Sequence, residues 1–283
     1  MTKKREISES ASMPLPDDCS YQEILSEIAL PVMFKWPHYI EQSGWLEHIP
    51  FAFWLMEAHR PTVVVELGAH YGVSFFAFCQ AADSLRLACR LHAIDTWKGD
   101  PHAGFYGELV FEKVQRHAQL HYPELSRLHR MTFDEAVAHF APQSIDLLHI
   151  DGLHTYDAVR HDFDTWLPKL SQRGIVLIHD TNYREKGFEV FRFFEEIKHL
   201  YPYFEFSHCN GLGVAGVGTE YPTIIKRLFN YQDNPAAHRI VNRIFARLGH
   251  SSSMTRAANV ARHHIRKLEQ RISKQLADDS KYN

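Results

Sequence analysis

The sequence predicts an α/β fold, a doubly wound and mostly parallel sheet that closes on an antiparallel hairpin. Three observations carry this. Aliphatic, β-branched runs alternate with helical periods from residue 62 to about residue 200. The first run, Thr62-Val63-Val64-Val65, stops at Glu66 and passes through a glycine turn into an apolar helix. The stretch YFEFSHCNGLGVAGVG, residues 203–218, reads as strand, glycine turn and strand.

Taken in order, residues 1–19 are polar, hold Pro14 and Pro16, and lack the apolar stretch of a secretory signal, so they read as a mobile leader. Residues 20–30 predict a helix capped by Ser20, with Ile24, Leu25, Ile28 and Ala29 on one face. An aromatic- and proline-rich segment, 31–50, and a helix over 51–60 then form a cover ahead of the first strand. After the turn a helix runs from about Val73 to residue 82. RLHAID (90–95) is a second strand, 96–107 a long loop with three glycines, and 108–120 a helix. A third short strand lies near Leu128–Met131, with a helix starting after Phe133. SIDLLHI (144–150) is the fourth strand. The amphipathic run 155–170 turns Val159, Phe163, Trp166, Leu167 and Leu170 inward, its end marked by Gly174. GIVLIHD (174–180) is the fifth strand and 189–201 a helix.

The 283 residues are 45% hydrophobic, enough for a sizeable core. Charge is uneven. Residues 221–283 hold 12 Lys/Arg against 4 Asp/Glu, whereas residues 1–220 hold 19 against 30. An acidic body argues against nucleic acid as its ligand. The cysteines show no metal or disulfide spacing, and Cys79 and Cys89 sit in apolar surroundings as reduced core residues. No run of about 20 apolar residues is present, so no membrane span is expected, and the reading is a cytoplasmic protein. The organisation expected is a leader (1–19), a main domain with its helical cover (20–220) and a basic helical extension (221–283). In the extension Ile240, Val241, Ile244, Phe245 and Leu248 make one stripe, which Gly249–Ser253 breaks. Ala261, Ile265, Leu268, Ile272 and Leu276 then make a basic amphipathic helix, expected to dock on the body or on a partner subunit, with a membrane surface or acidic partner as the other option.

Ligands of an open parallel sheet bind beyond the carboxyl ends of its strands. Ionisable and polar groups stand at all five ends. They are Glu66 with Gly68 and Gly72; Asp95 and Thr96; Thr132, Phe133 and Asp134; Asp151 with His154; and His179-Asp180. Gly68 and Gly72 allow close backbone approach at a helix N-terminus. His70 stands where a dinucleotide binder has its second glycine, which disfavours an NAD-dependent dehydrogenase. Asp95 can accept both hydrogens of a ribose diol, or cap the loop that follows. Phe133 offers an apolar face to an adenine, and Asp134 either accepts from its amine or caps a helix. Asp151, His154, His179 and Asp180 can hold a divalent cation, and a histidine suits proton abstraction near neutral pH.

These motifs, VVVELGAHYGVS, LHAIDTWKGD, MTFDEAVAHF, IDLLHIDGLHTYDAVRHDFDTWLPKLSQRGIVLIHDT and GLGVAGVG, together resemble class I S-adenosylmethionine-dependent methyltransferases. More narrowly they are similar to the branch of macrolide and aminocoumarin sugar O-methyltransferases and cephalosporin-hydroxylase-like proteins. The resemblance spans roughly residues 45–218. It implies a Rossmann-like seven-stranded sheet with an antiparallel last strand, and S-adenosylmethionine held by Glu66, Gly68, Gly72, Asp95, Thr96, Phe133 and Asp134. It implies a cation, Mg²⁺ or Mn²⁺, at Asp151, His179 and Asp180, and His154 as base. His179 departs from the branch, which has an acid there. The resemblance further implies a sugar or glycan acceptor, and the C-terminal helices are expected to serve either a homo-oligomer or a glycosyltransferase partner. A non-methylating, hydroxylase-like member and a silent binding partner of a glycosyltransferase stay open as alternatives. Trp36, Trp45, Trp97 and Tyr106 are read as packing residues first and sugar-stacking residues second.

Overall fold

The computed structural model describes residues 21–279, with side chains through residue 273. The leader 1–19 and the Ser20 cap lie outside the described residues. The strands are β1 (Val63–Leu67), β2 (Arg90–Asp95), β3 (Gly99–Asp100), β4 (Gly104–Phe105), β5 (Ser126–Arg130), β6 (Ile145–Ile150), β7 (Leu170–His179), β8 (Tyr203–Phe206) and β9 (Leu212–Gly216). The α-helices are α1 (Tyr21–Ile28), α2 (Ile49–His59), α3 (Val73–Ser84), α4 (Glu108–His121), α5 (Phe133–Ala136), α6 (Tyr156–Trp166), α7 (Val190–Lys198), α8 (Thr223–Gln232) and α9 (Pro235–Asp279).

Seven strands form one sheet in the order β5-β2-β1-β6-β7-β9-β8. β9 runs antiparallel to both neighbours, and the other pairings are parallel. This is the sheet expected, hairpin included. The chain leaves β1 in one direction through β2 and β5, then returns to β6 on β1's other side. The strand order therefore reverses between β1 and β6, where a ligand crevice opens.

Period-two alternation divides the core. Val64, Leu91, Leu147, Leu177 and Val214 face a cluster shared with α2, α3, α8 and the start of α9. Val65, Ile94, Leu148, Ile178 and Ala215 face a second cluster under α6 and α7. α2 is apolar all round and correspondingly buried on every face. Ile225, Leu228, Val241 and Phe245 belong to the first cluster, so α8 and the first part of α9 pack on the body. Cys79 and Cys89 are free thiols in the core, as read from their surroundings.

The structure corrects several local expectations. In α1 only Ile24 and Ile28 are buried, and Leu25 is 41% exposed, because the short helix touches the body along one narrow i, i+4 edge. Ala29 is exposed as well. The loop 96–107 carries the small β3–β4 hairpin. Gly174 does not end a helix. The helix stops at Trp166, Pro168 sits in the 3-10 turn that follows, and Gly174 lies inside β7 beside a register shift against β6.

Gly249–Ser253 does not break the tail either, since α9 is continuous through it. A Cβ on Gly249 would lie 1.9 Å from the Glu47 carbonyl oxygen, so this glycine serves close approach to the turn Leu46–His48. Ser251 Oγ donates to Leu248 O at 2.6 Å and Thr255 Oγ1 to Ser251 O at 2.8 Å, which keeps the hydroxyls inside the helix. Gly249→Ala is therefore expected to destabilise the protein by roughly 2 kcal/mol, overpacking outweighing helix propensity. A melting temperature that rises would show that propensity decides this position.

Candidate functional site

A cavity of about 810 Å³ opens over the carboxyl edge of the sheet. Gly68, Asp95, Thr96, Phe133, Asp151, His154, His179 and Asp180 all line it. One chain of predicted positions thus becomes one surface.

On the β1–β2 side, Gly68 takes φ +90° and its N–H donates to Ile94 O at 2.9 Å. A Cβ there would stand 2.1 Å from the Asp151 carbonyl oxygen, so β1 and β6 close together only because residue 68 has none. Gly72, at φ +80°, caps α3, where a Cβ would meet the Phe76 ring at 2.7 Å. Asp95 is heavily used. Its carboxylate accepts from His70 N at 2.9 Å, Trp97 N at 2.6 Å and Tyr106 OH at 3.2 Å. Those bonds hold the β2 end in one conformation.

Glu66, Gly72 and Asp134 do not reach the cavity lining. Glu66 is fully buried, its carboxylate bonded by Ser74 Oγ and facing His149 Nδ1 at 3.5 Å. Burial pushes its pKa up, against the pull of His149 and Ser74. Trp45 Nε1 donates to His149 Nε2 at 3.1 Å, which ties the N-terminal cover to β6. Asp134 pairs with His161 on the surface at 2.8 Å, and Thr132 rather than Asp134 caps α5, in a capping box with Glu135.

On the β6–β7 side, His154 Nε2 lies 2.8 Å from Asp180 Oδ2 and 3.6 Å from Asp151 Oδ1. His179 Nδ1 sits between the same carboxylates, 3.1 Å from Asp151 Oδ1 and 3.2 Å from Asp180 Oδ2. Asp180 adopts φ +62°, a left-handed backbone unusual for a side-chain-bearing residue, so its placement is held by the surroundings. The His154 ring stacks on Phe188 at 4.1 Å, and Phe188 stacks on His102 of the β3–β4 hairpin at 4.8 Å. Behind His179 lies His48, fully buried.

The electrostatics follow from this packing. Burial opposes charge on His154, but its hydrogen bonds to Asp151 and Asp180 outweigh it and lift its pKa to about 9. His179 is raised well above 6.5, burial again losing to Asp180 and Asp151. Burial would raise both carboxylates, yet the His179 charge and the bonds from the two imidazoles pull Asp151 and Asp180 below their ordinary 3.8. Two imidazoliums so balance two carboxylates.

The linkage has a defined sign. A histidine with a raised folded pKa contributes fully below 6.5 and loses that contribution as pH climbs through about 9. The depressed carboxylates contribute above 3.8 and lose it as pH falls below that value. In chelator, the stability gap between the wild type and His154→Gln is expected to narrow from pH 6.5 to pH 9, read by thermal melting. A gap that widens would contradict this pairing.

Asp151, His154 and Asp180 each offer a ligand atom within 4.8 Å of the others, a set able to hold a cation. Asp180 Oδ1 is buried with no partner, an orphan oxygen suited to the same ion. His179 contributes its Nδ1 to both carboxylates, and its Nε2 is buried without a partner.

Several further lining residues come from loops and carry no motif. Gln42, Ser43 and Gly44 cover the cavity from the N-terminal segment, and Tyr183 and Lys186 from the loop after β7. Asn210 stood within reach of sequence reading, since Asn-Gly is the signature of a tight hairpin turn. Of the aromatic residues weighed for stacking, Trp45 and Trp97 are fully buried, Trp36 is exposed, and Tyr106 lines the cavity.

Residues 65–181 match the family model described as a methyltransferase domain. The chain is 47% identical over 192 residues to the uncharacterized protein y4gI of Sinorhizobium fredii, a match covering 68% of this chain and 21% of that protein. The chain therefore spans about a fifth of the length of the curated relative it matches. Among solved structures, a methyltransferase from Geobacter sulfurreducens aligns with TM-score 0.46 and 15% identity over 74% of this chain and 92% of that one. The O-methyltransferase TomG of Streptomyces achromogenes, solved with SAM, aligns with TM-score 0.45 and 15% identity over 70% and 87%.

Proposed function

We propose that this chain, whose residues 65–181 match a methyltransferase domain, is a class I S-adenosylmethionine-dependent enzyme that methylates a hydroxyl of a sugar or glycan intermediate, with His154 as the base. One observation carries the reading: His154, Asp151 and Asp180 face the same cavity as Gly68, Asp95, Thr96 and Phe133. His154, able to accept a proton once a cation on its carboxylates or a pH above about 9 has removed its own, thus stands in one space with the strand ends suited to a nucleoside donor.

Gly68 leaves the backbone bare, Asp95 and Thr96 present oxygens, and Phe133 presents a ring, which fits a donor with ribose and adenine parts. S-adenosylmethionine bound there supplies an electrophilic methyl on a sulfonium. The remaining lining mixes amides and hydroxyls with rings, as in Gln42, Ser43, Asn210, Tyr106 and Tyr183. That mixture suits a polyhydroxylated acceptor, whose hydroxyls need paired hydrogen-bond partners and whose ring faces need apolar cover.

The Asp151 and Asp180 carboxylates fit a divalent cation, which would hold the acceptor oxygen and favour its deprotonated form, with His154 beside it as base. The carboxylates that would hold a cation also hold the protons of His154 and His179. Cation binding and imidazole protonation compete for them.

Calorimetry with S-adenosylhomocysteine tests the donor half, and no binding at millimolar ligand would overturn it. Exhaustive chelation is expected to slow transfer to a sugar acceptor. A rate unchanged by chelation would leave charge balance to the two imidazoles alone and remove the cation.

A further inference from the structure

From Met254 onward, α9 carries an apolar stripe that the body leaves uncovered. Met254 is 58% exposed, Ile265 54%, Leu268 55% and Ile272 58%. Their spacing, continued in sequence by Ala258 and Ala261, keeps them on one helical face. Of the two dockings expected, the one on the body is not seen, since Ile265, Leu268 and Ile272 are exposed. What occupies the stripe must therefore come from outside the described residues.

The charges choose among occupants. Residues 254–276 hold six Lys/Arg against one acid, Glu269. At 100° per residue, Arg262 and Arg266 fall along one margin of the stripe and Arg271 along the other. Two copies packed stripe to stripe would bring two such cationic helices together. A nucleic acid would neutralise the arginines but leave Ile265, Leu268 and Ile272 in water. A surface with anionic groups lying above an apolar layer satisfies both parts of the helix at once.

We propose that residues 254–276 of α9 dock in the plane of an anionic lipid surface, with Ile265, Leu268 and Ile272 in the acyl layer and the flanking arginines on the headgroups. No helix among the described residues is long and apolar enough to cross a membrane, so the contact is peripheral. At the base of the projecting segment, Arg256 Nη2 donates to Gln42 Oε1 at 3.4 Å, and Gln42 lines the cavity. Docking therefore begins beside the cavity's rim.

The test is co-sedimentation of the full chain with phosphatidylcholine vesicles, with and without roughly one third phosphatidylglycerol. Association with the anionic vesicles alone is expected, falling steeply with added salt. The variant Leu268→Glu/Ile272→Glu changes exposed residues, so its melting temperature should match the wild type while vesicle binding falls by about tenfold or more. Equal binding by the variant, equal binding to neutral vesicles, or no binding would each overturn the proposal. So would a dimer, seen by sedimentation velocity without lipid, that the same variant dissolves, because the stripe would then belong to a second copy.

Discussion

His154→Ala is expected to lower methyl transfer by about 10²–10⁴-fold, the usual worth of a positioned general base, with S-adenosylhomocysteine affinity unchanged. The separation follows from the layout. His154 is held by Asp180 and the face of Phe188 after β6, whereas Asp95 ends β2 and makes no contact with it. Because His154 also donates to Asp180, alanine removes both a base and a hydrogen bond, and His154→Gln separates the two roles. Glutamine can restore the donor but cannot accept the acceptor's proton near neutral pH. Slow transfer in both variants, with the glutamine variant melting above the alanine variant, supports the base. Wild-type rates in His154→Gln would reduce His154 to a positioning residue.

The sheet was legible because its strands are short, aliphatic and punctuated by glycine or acid, signals that local sequence carries by itself. Asp151 and Asp180 were legible for a related reason: each follows the last residue of its strand, where alternation no longer commits the side chain to a face. Glu66 shows the limit. β1 continues one residue further, to Leu67, so Glu66 is still inside the strand and shares the face of Val64. That face leads to Ser74 and His149 rather than into the cavity. The strand's true end, and with it the carboxylate's direction, depended on pairing with β2 and β6, which a single strand does not reveal.

The tail shows the same limit twice. Gly249 looked like a helix breaker because glycine serves both flexible breaks and close contacts, and only the Glu47 backbone beside it tells which. The stripes on either side of it are alike in sequence, yet Val241 and Phe245 are buried while Ile265 and Leu268 are exposed. Amphipathicity states that a face wants cover. It does not state what supplies it.

Gly68→Ala is the second substitution expected to have a large effect. The position combines two constraints that alanine cannot meet together. Its φ of +90° is open to glycine and strained for any residue with a Cβ. The added Cβ would lie 2.1 Å from the Asp151 carbonyl oxygen and 2.7 Å from its carbonyl carbon, both backbone atoms that cannot rotate away. Relief requires the ends of β1 and β6 to separate. That would strain the bond from Asp151 N to Leu67 O, now 2.9 Å, at the point where strand order reverses. The strain and overpacking together are expected to cost about 2–5 kcal/mol of stability. Donor binding and the Asp151 cluster should fail together, because one movement displaces the donor wall and the carboxylate. The informative comparison is Gly72→Ala, whose Cβ would press on the Phe76 ring, a side chain able to shift. Gly72→Ala should weaken S-adenosylhomocysteine binding less and leave the cluster's proton balance intact. If Gly68→Ala bound the ligand as well as the wild type, the close approach of β1 to Asp151 would not be what shapes the donor side of the cavity.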